Sequence, residues 1–339
     1  MNDELARLVD DIGRRSFDSR QAHRALPEEF DDALWRHLEE TGLSRLTTRE
    51  DAGPAESAIV LSGLARHDCA VPVAETDLLA GWLAARAGID VPDDGPLTIA
   101  VADADGAGGR IAGTATDVPW PRSAPVLLAA RTDALHVALL DEVDVTDGYN
   151  LAGEPRGTLA FDLPADRFVD VEPTVGDEVL RRGAWARCVQ TIAVMDVAAE
   201  LTVAHTRERR QFGRPLSAFQ AVQHSLAAMA GEIERARAAT ALAVAAASDY
   251  GFGSAQADYA VTVAKVAVGR AVGPVTTIAH QLHGAIGVTI EHRLRLATMR
   301  ARSWVDEFGS TVSHARRLGL SVLAADDPWD LVVSCPTPV

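Results

Sequence analysis

Four long stretches with helical hydrophobic spacing occupy the second half of the sequence. They cover roughly residues 186–208, 216–249, 254–282 and 291–320, and only short segments separate them. Apolar residues that recur every three to four positions form a stripe along a helix, and this stripe must be buried against another element. Four such helices joined by short loops predict an up-and-down four-helix bundle. The second and third stretches are rich in alanine, which lets helices approach closely within one chain or between subunits.

The first half of the sequence shows two other patterns. Residues 1–92 contain shorter helical stretches, such as PEEFDDALWRHLEETG, which begins at Pro27 and ends at Gly42. Residues 93–175 contain short runs of β-branched and small apolar residues bounded by Gly, Asp and Pro, as consecutive strands do. Within them DADGAGG is predicted to be a hairpin turn, because no helix follows it.

These patterns predict a mainly α protein with a small β domain. We expect an N-terminal helical domain at 1–92, a reduced middle β domain at 93–175, the bundle at 176–325 and a tail at 326–339.

Composition narrows the classes of partner. A formal net charge of -16 argues against nucleic acid and against an anionic membrane surface, since both require a basic face. Three widely spaced cysteines and the isolated pair His280 and His283 show no metal-ligand or disulfide spacing, so no metal site is expected. The acidic N-terminus and the polar residues within the longest uncharged stretch predict a cytoplasmic protein without a membrane span.

A cluster of arginines stands out against this acidic background, in the stretch RERRQFGRPL at residues 207–216. Positive charge at a helix C-terminus is favoured by the helix dipole, and this reading alone would account for the arginines. The glycine and proline after Phe212, however, predict a sharp turn that fixes Arg209 in space, with Gln220 and Gln223 on the next helix. A fixed guanidinium near amide side chains suits a ligand that carries phosphates.

A second motif is QLHGAIGVTIEH at residues 281–292, where a helix is predicted to end at Gln281 and a loop with Gly284 and Gly287 to lead into the last helix. These glycines fit an ordinary helix end with turn residues. They also fit a loop whose backbone lets a phosphate or ribose approach. The spacing leaves both interpretations open.

Together and in this order, the two motifs and the three-part architecture resemble the acyl-CoA dehydrogenase family. The resemblance implies an N-terminal helical domain, a middle β-barrel-like domain and a C-terminal four-helix bundle. It also implies an FAD whose adenine and pyrophosphate are bound by these motifs, while its isoalloxazine ring lies mainly in a neighbouring subunit. The positions that match the family's cofactor motifs are Arg209, Gln211, Phe212, Gln220, Gln281, Gly284 and Ala285.

The sequence departs from this family at the catalytic base. Counting from the motifs, the two places where the family carries its carboxylate fall on Phe308 and Gly183, and neither residue can accept a proton. Glu307 is a weak candidate one residue away, and on a helix a one-residue shift turns the side chain by about 100°. The loop that hydrogen-bonds the flavin ring in the family has no counterpart in residues 97–130.

These departures resemble the short, base-lacking subunit of actinobacterial heterotetrameric acyl-CoA dehydrogenases of sterol side-chain degradation. The resemblance implies a homologous partner subunit that supplies the base, an acyl-CoA substrate that undergoes α,β-desaturation, and an electron-transfer flavoprotein or equivalent acceptor. A bulky, steroidal acyl group is implied by the same analogy. Two alternatives stay open: a self-sufficient homo-oligomeric dehydrogenase that uses Glu307, and a scaffold subunit that has lost cofactor binding.

Overall fold

The computed structural model describes residues 2–20, 26–50, 52–140 and 143–334. The chain divides into two compact units, one formed by Met1–Leu61 and Cys69–Gly183, the other by Ser62–Asp68 and Ala184–Val339. The predicted tail contains a short helix at Pro328–Ser334, and its residues 335–339 lie outside the described part.

The N-terminal part is helical, as predicted. Its helices are α1 (Asn2–Arg20), α2 (Asp32–Glu40), α3 (Pro54–Arg66) and α4 (Trp82–Ala87), and a π-helical segment at Ala74–Gly81 runs into α4. Helix α2 begins five residues later than the proline suggested. The reason is the carboxylate of Asp31, which accepts a hydrogen bond from the backbone N–H of Leu34 at 2.9 Å and so caps the helix.

The middle of the chain forms a seven-stranded sheet. Its strands are β1 (Thr98–Ala107), β2 (Arg110–Pro119), β3 (Val126–Arg131), β4 (Leu135–Leu140), β5 (Val145–Tyr149), β6 (Pro155–Pro164) and β7 (Val169–Val171), in the order β5-β6-β2-β1-β3-β4-β7. The first part of β1 pairs in parallel with β3 and its last part pairs antiparallel with β2. Gly108 and Gly109 join β1 to β2 with φ of 59° and 75°, as a type I′ hairpin requires, so the hairpin prediction for DADGAGG is confirmed.

Long helices make up the C-terminal part. They are α5 (Pro173–Glu208), α6 (Gln220–Tyr250), α7 (Ala255–His283), α8 (Arg293–Trp304), α9 (Thr311–Ala324) and the short α10 (Pro328–Ser334). A small hairpin of β8 (Arg210–Gln211) and β9 (Arg214–Pro215) lies between α5 and α6. The mainly α fold with a small β domain is therefore confirmed.

The prediction of one continuous last helix at 291–320 is wrong. Phe308 and Gly309 have φ of 54° and 103°, a backbone conformation that an α-helix cannot contain. The chain instead turns between α8 and α9. Glu307 lies in this turn and not in a helix, so a shift of one residue does not rotate its side chain by the helical angle of about 100°.

Two helical segments, Pro173–Glu208 and Ala255–Val288, are long and apolar enough to meet the criteria for a membrane span. In each, 56% of the tested window is buried inside the protein, as in the core helices of a bundle. Much of the apolar surface of these two helices is therefore buried by packing inside the protein.

Candidate functional site

The hairpin after α5 fixes the backbone of the arginine cluster. The N–H of Arg209 donates to the carbonyl of His205 at 2.8 Å, and the carbonyl of Arg209 accepts from Leu216 at 2.9 Å. Phe212 and Gly213 form the tip, with φ of 50° and 79°. A positive φ is unusual for a bulky residue such as phenylalanine and marks a constrained turn. The predicted sharp turn is therefore present in the structure.

The arginines of this cluster have different surroundings. Arg210 donates to the carbonyl of Gly213 at 3.1 Å and so braces the turn. The guanidinium of Arg214 lies 4.0 Å from the ring centroid of Phe219. Arg207 is exposed in the last turn of α5. Arg209 lines a groove, which makes it the arginine of this cluster best placed to meet a ligand.

The second motif begins at the end of α7. The helix continues to His283, two residues beyond the predicted end, and Gly284 follows it with φ of 67°. A short 3₁₀ helix, Gly284–Val288, then leads towards α8. No atom lies within 4 Å of the place where a Cβ of Gly284 would be, so the backbone conformation and not crowding favours glycine here. The backbone at this helix end is open to an approaching ligand.

The structure brings the two motifs together around one open groove of about 650 Å³. Five of the seven predicted cofactor residues line it: Arg209, Gln211, Gln281, Gly284 and Ala285. The other two do not. Phe212 is 91% exposed at the tip of the hairpin, and Gln220 is exposed at the first position of α6.

Sequence reasoning missed other residues of the groove. They are His205, Leu216, Ala221, Val222, Ser225, Leu282, His283 and Ile286. His205 precedes Arg209 by four positions, and this spacing on a helix could have identified it. None of the described residues that line the groove is acidic, although the chain as a whole carries a net charge of -16. The groove is therefore suited to an anionic ligand.

Glu307, the candidate base, forms an ion pair. Its Oε2 accepts from Nε of Arg187 at 2.6 Å, and the Arg187 side chain is only 4% exposed. The guanidinium of Arg187 also lies 5.7 Å from the ring centroid of Phe308 and 5.8 Å from that of Trp304. A carboxylate that balances a buried guanidinium is stabilised in its ionised form, which makes it a weak proton acceptor.

Lys265 holds the same turn from α7. Its Nζ donates to the carbonyls of Val305 and Glu307 at 2.8 and 2.7 Å, where the end of α8 leaves carbonyl groups without helical partners. Burial lowers the pKa of Lys265, and the nearby Cys188 and Glu307 oppose this effect. Burial also raises the pKa of Cys188 to about 12, so this thiol is not a nucleophile at neutral pH.

The second expected base position falls on Gly183, which has no side chain that could accept a proton. Glu178 is the nearest acid in the sequence and accepts from Nη2 of Arg182 at 2.8 Å. That guanidinium lies 4.0 Å from the ring centroid of Trp82. Glu178 is therefore engaged in an ion pair one helical turn before Gly183.

Comparisons with known proteins agree with this architecture. Residues 174–315 match the family described as acyl-CoA dehydrogenase, C-terminal domain. The acyl-CoA dehydrogenase IpdE2 of Mycolicibacterium smegmatis is 27% identical over 301 residues, covering 86% of this chain and 89% of that protein. The C-terminal part of the chain thus matches the acyl-CoA dehydrogenase C-terminal domain, and most of the chain is similar to acyl-CoA dehydrogenases.

Solved structures extend the likeness over nearly the whole fold. The ChsE4-ChsE5 complex from Mycobacterium tuberculosis superposes with a TM-score of 0.82 at 24% identity, covering 96% of this chain and 97% of that one. The Tcur3481-Tcur3483 steroid ACAD gives 0.79 at 25% identity, covering 95% and 99%. A glutaryl-CoA dehydrogenase from Mycobacterium smegmatis in complex with FADH2 has the same fold, with a TM-score of 0.72. That neighbour contains the reduced form of FAD, the cofactor that the sequence predicts for this chain.

We predict that Glu307→Gln leaves the turnover of the folded enzyme within a few fold of wild type. Removal of a general base costs on the order of a hundredfold or more. The same change should lower the free energy of unfolding by about 1 kcal/mol, because Arg187 exchanges a charge-assisted hydrogen bond for a neutral one. Steady-state kinetics and urea denaturation measure the two effects.

The matched control is Asp306→Asn, which removes a charge from the neighbouring, exposed residue of the same turn. It should change neither quantity appreciably. A hundredfold loss of turnover in Glu307→Gln alone would establish Glu307 as the base.

Proposed function

We propose that this chain is one subunit of an FAD-dependent acyl-CoA dehydrogenase that desaturates an acyl-CoA thioester between its α and β carbons. In this proposal the groove between the ends of α5 and α7 binds the adenine and pyrophosphate end of FAD. A partner subunit holds the isoalloxazine ring and supplies the catalytic base. The observation that carries the proposal is the convergence of the two motifs on one groove without acidic residues among its described lining.

The residues of the groove fit this half of the cofactor. Arg209 offers a planar guanidinium for the pyrophosphate, and the 3₁₀ helix that starts at Gly284 leaves backbone N–H groups near the groove. The amides of Gln211 and Gln281 can hydrogen-bond polar groups of the nucleotide. FAD held here would supply the acceptor for the hydride that leaves the substrate. This chain's own residues bind and orient the nucleotide end.

The surroundings of Phe308 support a division of labour between subunits. The turn that would carry a base has Phe308 at that position. The carboxylate of the preceding residue, Glu307, is bound to Arg187. A base from elsewhere is required if the complex is to remove the α-proton of the thioester. A similar arrangement is suggested by the Tcur3481-Tcur3483 steroid ACAD, whose name lists two components. The similarity covers 95% of the present chain.

The surface of α6 supports association with a partner. One stripe of this helix is buried, and it includes Met229, Ile233, Ala236 and Ala243. Outside that stripe the helix exposes alanines and two larger apolar residues: Ala221, Ala227, Ala228, Ala230, Ala238, Ala241, Leu242, Ala245 and Tyr250. The same helix also exposes charged residues such as Glu234 and Arg235, so its exposed face is mixed, with small alanines that let another helix approach closely.

A second apolar surface lies beside the groove. Phe212, Ile286, Val288 and Ile290 are 91%, 51%, 60% and 42% exposed. In the proposed complex the partner covers these side chains and closes the groove over the nucleotide. The steroidal acyl group and an electron-transfer flavoprotein as acceptor belong to the same proposal and rest on likeness to the relatives.

Arg209→Ala should weaken FAD binding by about ten- to a hundredfold without unfolding the complex, because a charge-assisted hydrogen bond to a ligand contributes about 1.5 to 3 kcal/mol. Arg209→Lys should restore part of the affinity, since the ammonium keeps the charge but not the planar fork. Equilibrium dialysis against FAD measures both.

The control for this prediction is Arg207→Ala. Arg207 is exposed two residues earlier and does not line the groove, so its removal should have little effect. Equal FAD retention in wild type and Arg209→Ala would contradict the proposed cofactor site.

The chain purified alone should contain little FAD, and co-expression with a homologous subunit should yield a yellow complex, because the nucleotide groove here holds only part of the cofactor. The flavin absorption spectrum of the two preparations measures this. A stable chain that carries stoichiometric FAD alone would favour the self-sufficient dehydrogenase. A complex that stays colourless would favour the scaffold.

A further inference from the structure

The groove contains a histidine one helical turn before Arg209, the residue that directly follows α5. His205 lies four residues before Arg209 in the last turns of α5, and both side chains line the groove. Residues four apart on a helix are neighbours on its surface. The backbone connects them as well, since the N–H of Arg209 donates to the carbonyl of His205 at 2.8 Å. A ligand group bound by Arg209 therefore lies near the imidazole of His205.

His205 is held by ring stacking. Its imidazole lies 4.4 Å from that of His283, with an angle of 22° between the planes, and the ring of His292 packs against His283 at 5.2 Å. His283 is 6% exposed, whereas His205 is only half-buried. The buried ring of His283 thus forms a platform; both rings line the groove, and His205 is the more exposed of the two.

The platform itself is uncharged at neutral pH. Nδ1 of His283 donates to the carbonyl of Ala279 at 2.9 Å. Burial lowers the pKa of His283; the Ala279 carbonyl opposes this, and His205, His292 and His280 lower it further. Burial, together with His205, also lowers the pKa of His292, whose Nδ1 accepts from the N–H of Leu294 at the start of α8. Both neighbouring rings are therefore poor sites for a proton.

Titratable and charged groups from several elements surround His205. They are His283 at the end of α7, His292 at the start of α8, Arg209 directly after α5, and Glu208 three residues after His205. Glu208 is exposed and does not line the groove, and no described residue that lines the groove is acidic. A proton on His205 would thus lack a counter-ion in the groove until an anion binds there.

We propose that His205 is a second, pH-dependent contact for the diphosphate of the nucleotide, which it binds as an imidazolium beside Arg209. The proposal rests on the proposed FAD function and adds a residue and a direction of pH dependence to it. Binding of the anion takes up a proton on His205. Nucleotide affinity should therefore rise as the pH falls through the range in which imidazoles titrate.

ADP-ribose is a suitable probe, because its diphosphate is esterified at both ends and keeps a constant charge over this range. Binding to the purified, FAD-free complex should be about three- to tenfold tighter at pH 6.0 than at pH 8.0, as expected when binding takes up one proton on an imidazole. Isothermal titration calorimetry in two buffers of different ionisation enthalpy should show proton uptake at pH 6.5. Adenosine, which has no phosphate, should bind with no such dependence.

His205→Phe is the decisive variant, since it keeps a ring stacked on His283 but cannot carry a proton. It should lose both the gain in ADP-ribose affinity between pH 8.0 and pH 6.0 and the proton uptake. His224→Phe is the matched control, because His224 is exposed on α6 and does not line the groove. It should keep the full pH dependence.

The outcomes separate this inference from the proposed function. An unchanged pH dependence in His205→Phe, or an equal dependence for adenosine, would overturn the role of His205 while FAD binding stands. Failure of both FAD and ADP-ribose to bind to the complex at any pH would overturn both proposals.

Discussion

The candidate site depends on how α5 ends. Its last hydrogen-bonded turn joins His205 to Arg209, and the left-handed pair Phe212 and Gly213 then reverses the chain into α6. Because the carbonyl of Arg209 is paired with Leu216 across this hairpin, the guanidinium starts from a fixed backbone. The reversal also sets the end of α5 beside the end of α7, where Gly284 opens the backbone. The groove and the stacked pair His205 and His283 are formed where these two helix ends meet.

A second constraint acts at the turn between α8 and α9. Arg187 from α5 and Lys265 from α7 both bind Glu307, one through its carboxylate and the other through its carbonyl. Buried cations need such partners, and this need commits the carboxylate to a structural role. The same turn places Phe308 in a left-handed conformation, at the position where the resemblance to acyl-CoA dehydrogenases implies an acid. In the proposed function, the absence of a base at this position and the ion pair that stabilises the turn belong to one arrangement.

Periodicity in the sequence predicted most of the fold. The three long helices and the strands had clear spacing, and the two glycines after Ala107 fixed the hairpin. The break near Phe308 was missed because apolar spacing continues across it, and Gly309 alone does not reveal a left-handed phenylalanine. The start of α2 was also predicted too early, because hydrophobic spacing does not reveal that the side chain of Asp31 caps the helix. The resemblance to a family identified five residues of the groove. His205 and His283 were missed because their stacking depends on packing between distant helices.

The central claim is that this chain holds the adenine end of FAD. Photolabelling of the complex with 8-azido-FAD, followed by peptide mass spectrometry, tests it most directly, because the reactive group is on the adenine ring. The account predicts that the label attaches to this chain, within residues 205–225 or 281–290, and that excess FAD protects those peptides. Labelling confined to the partner subunit, with none on these two segments, would contradict it.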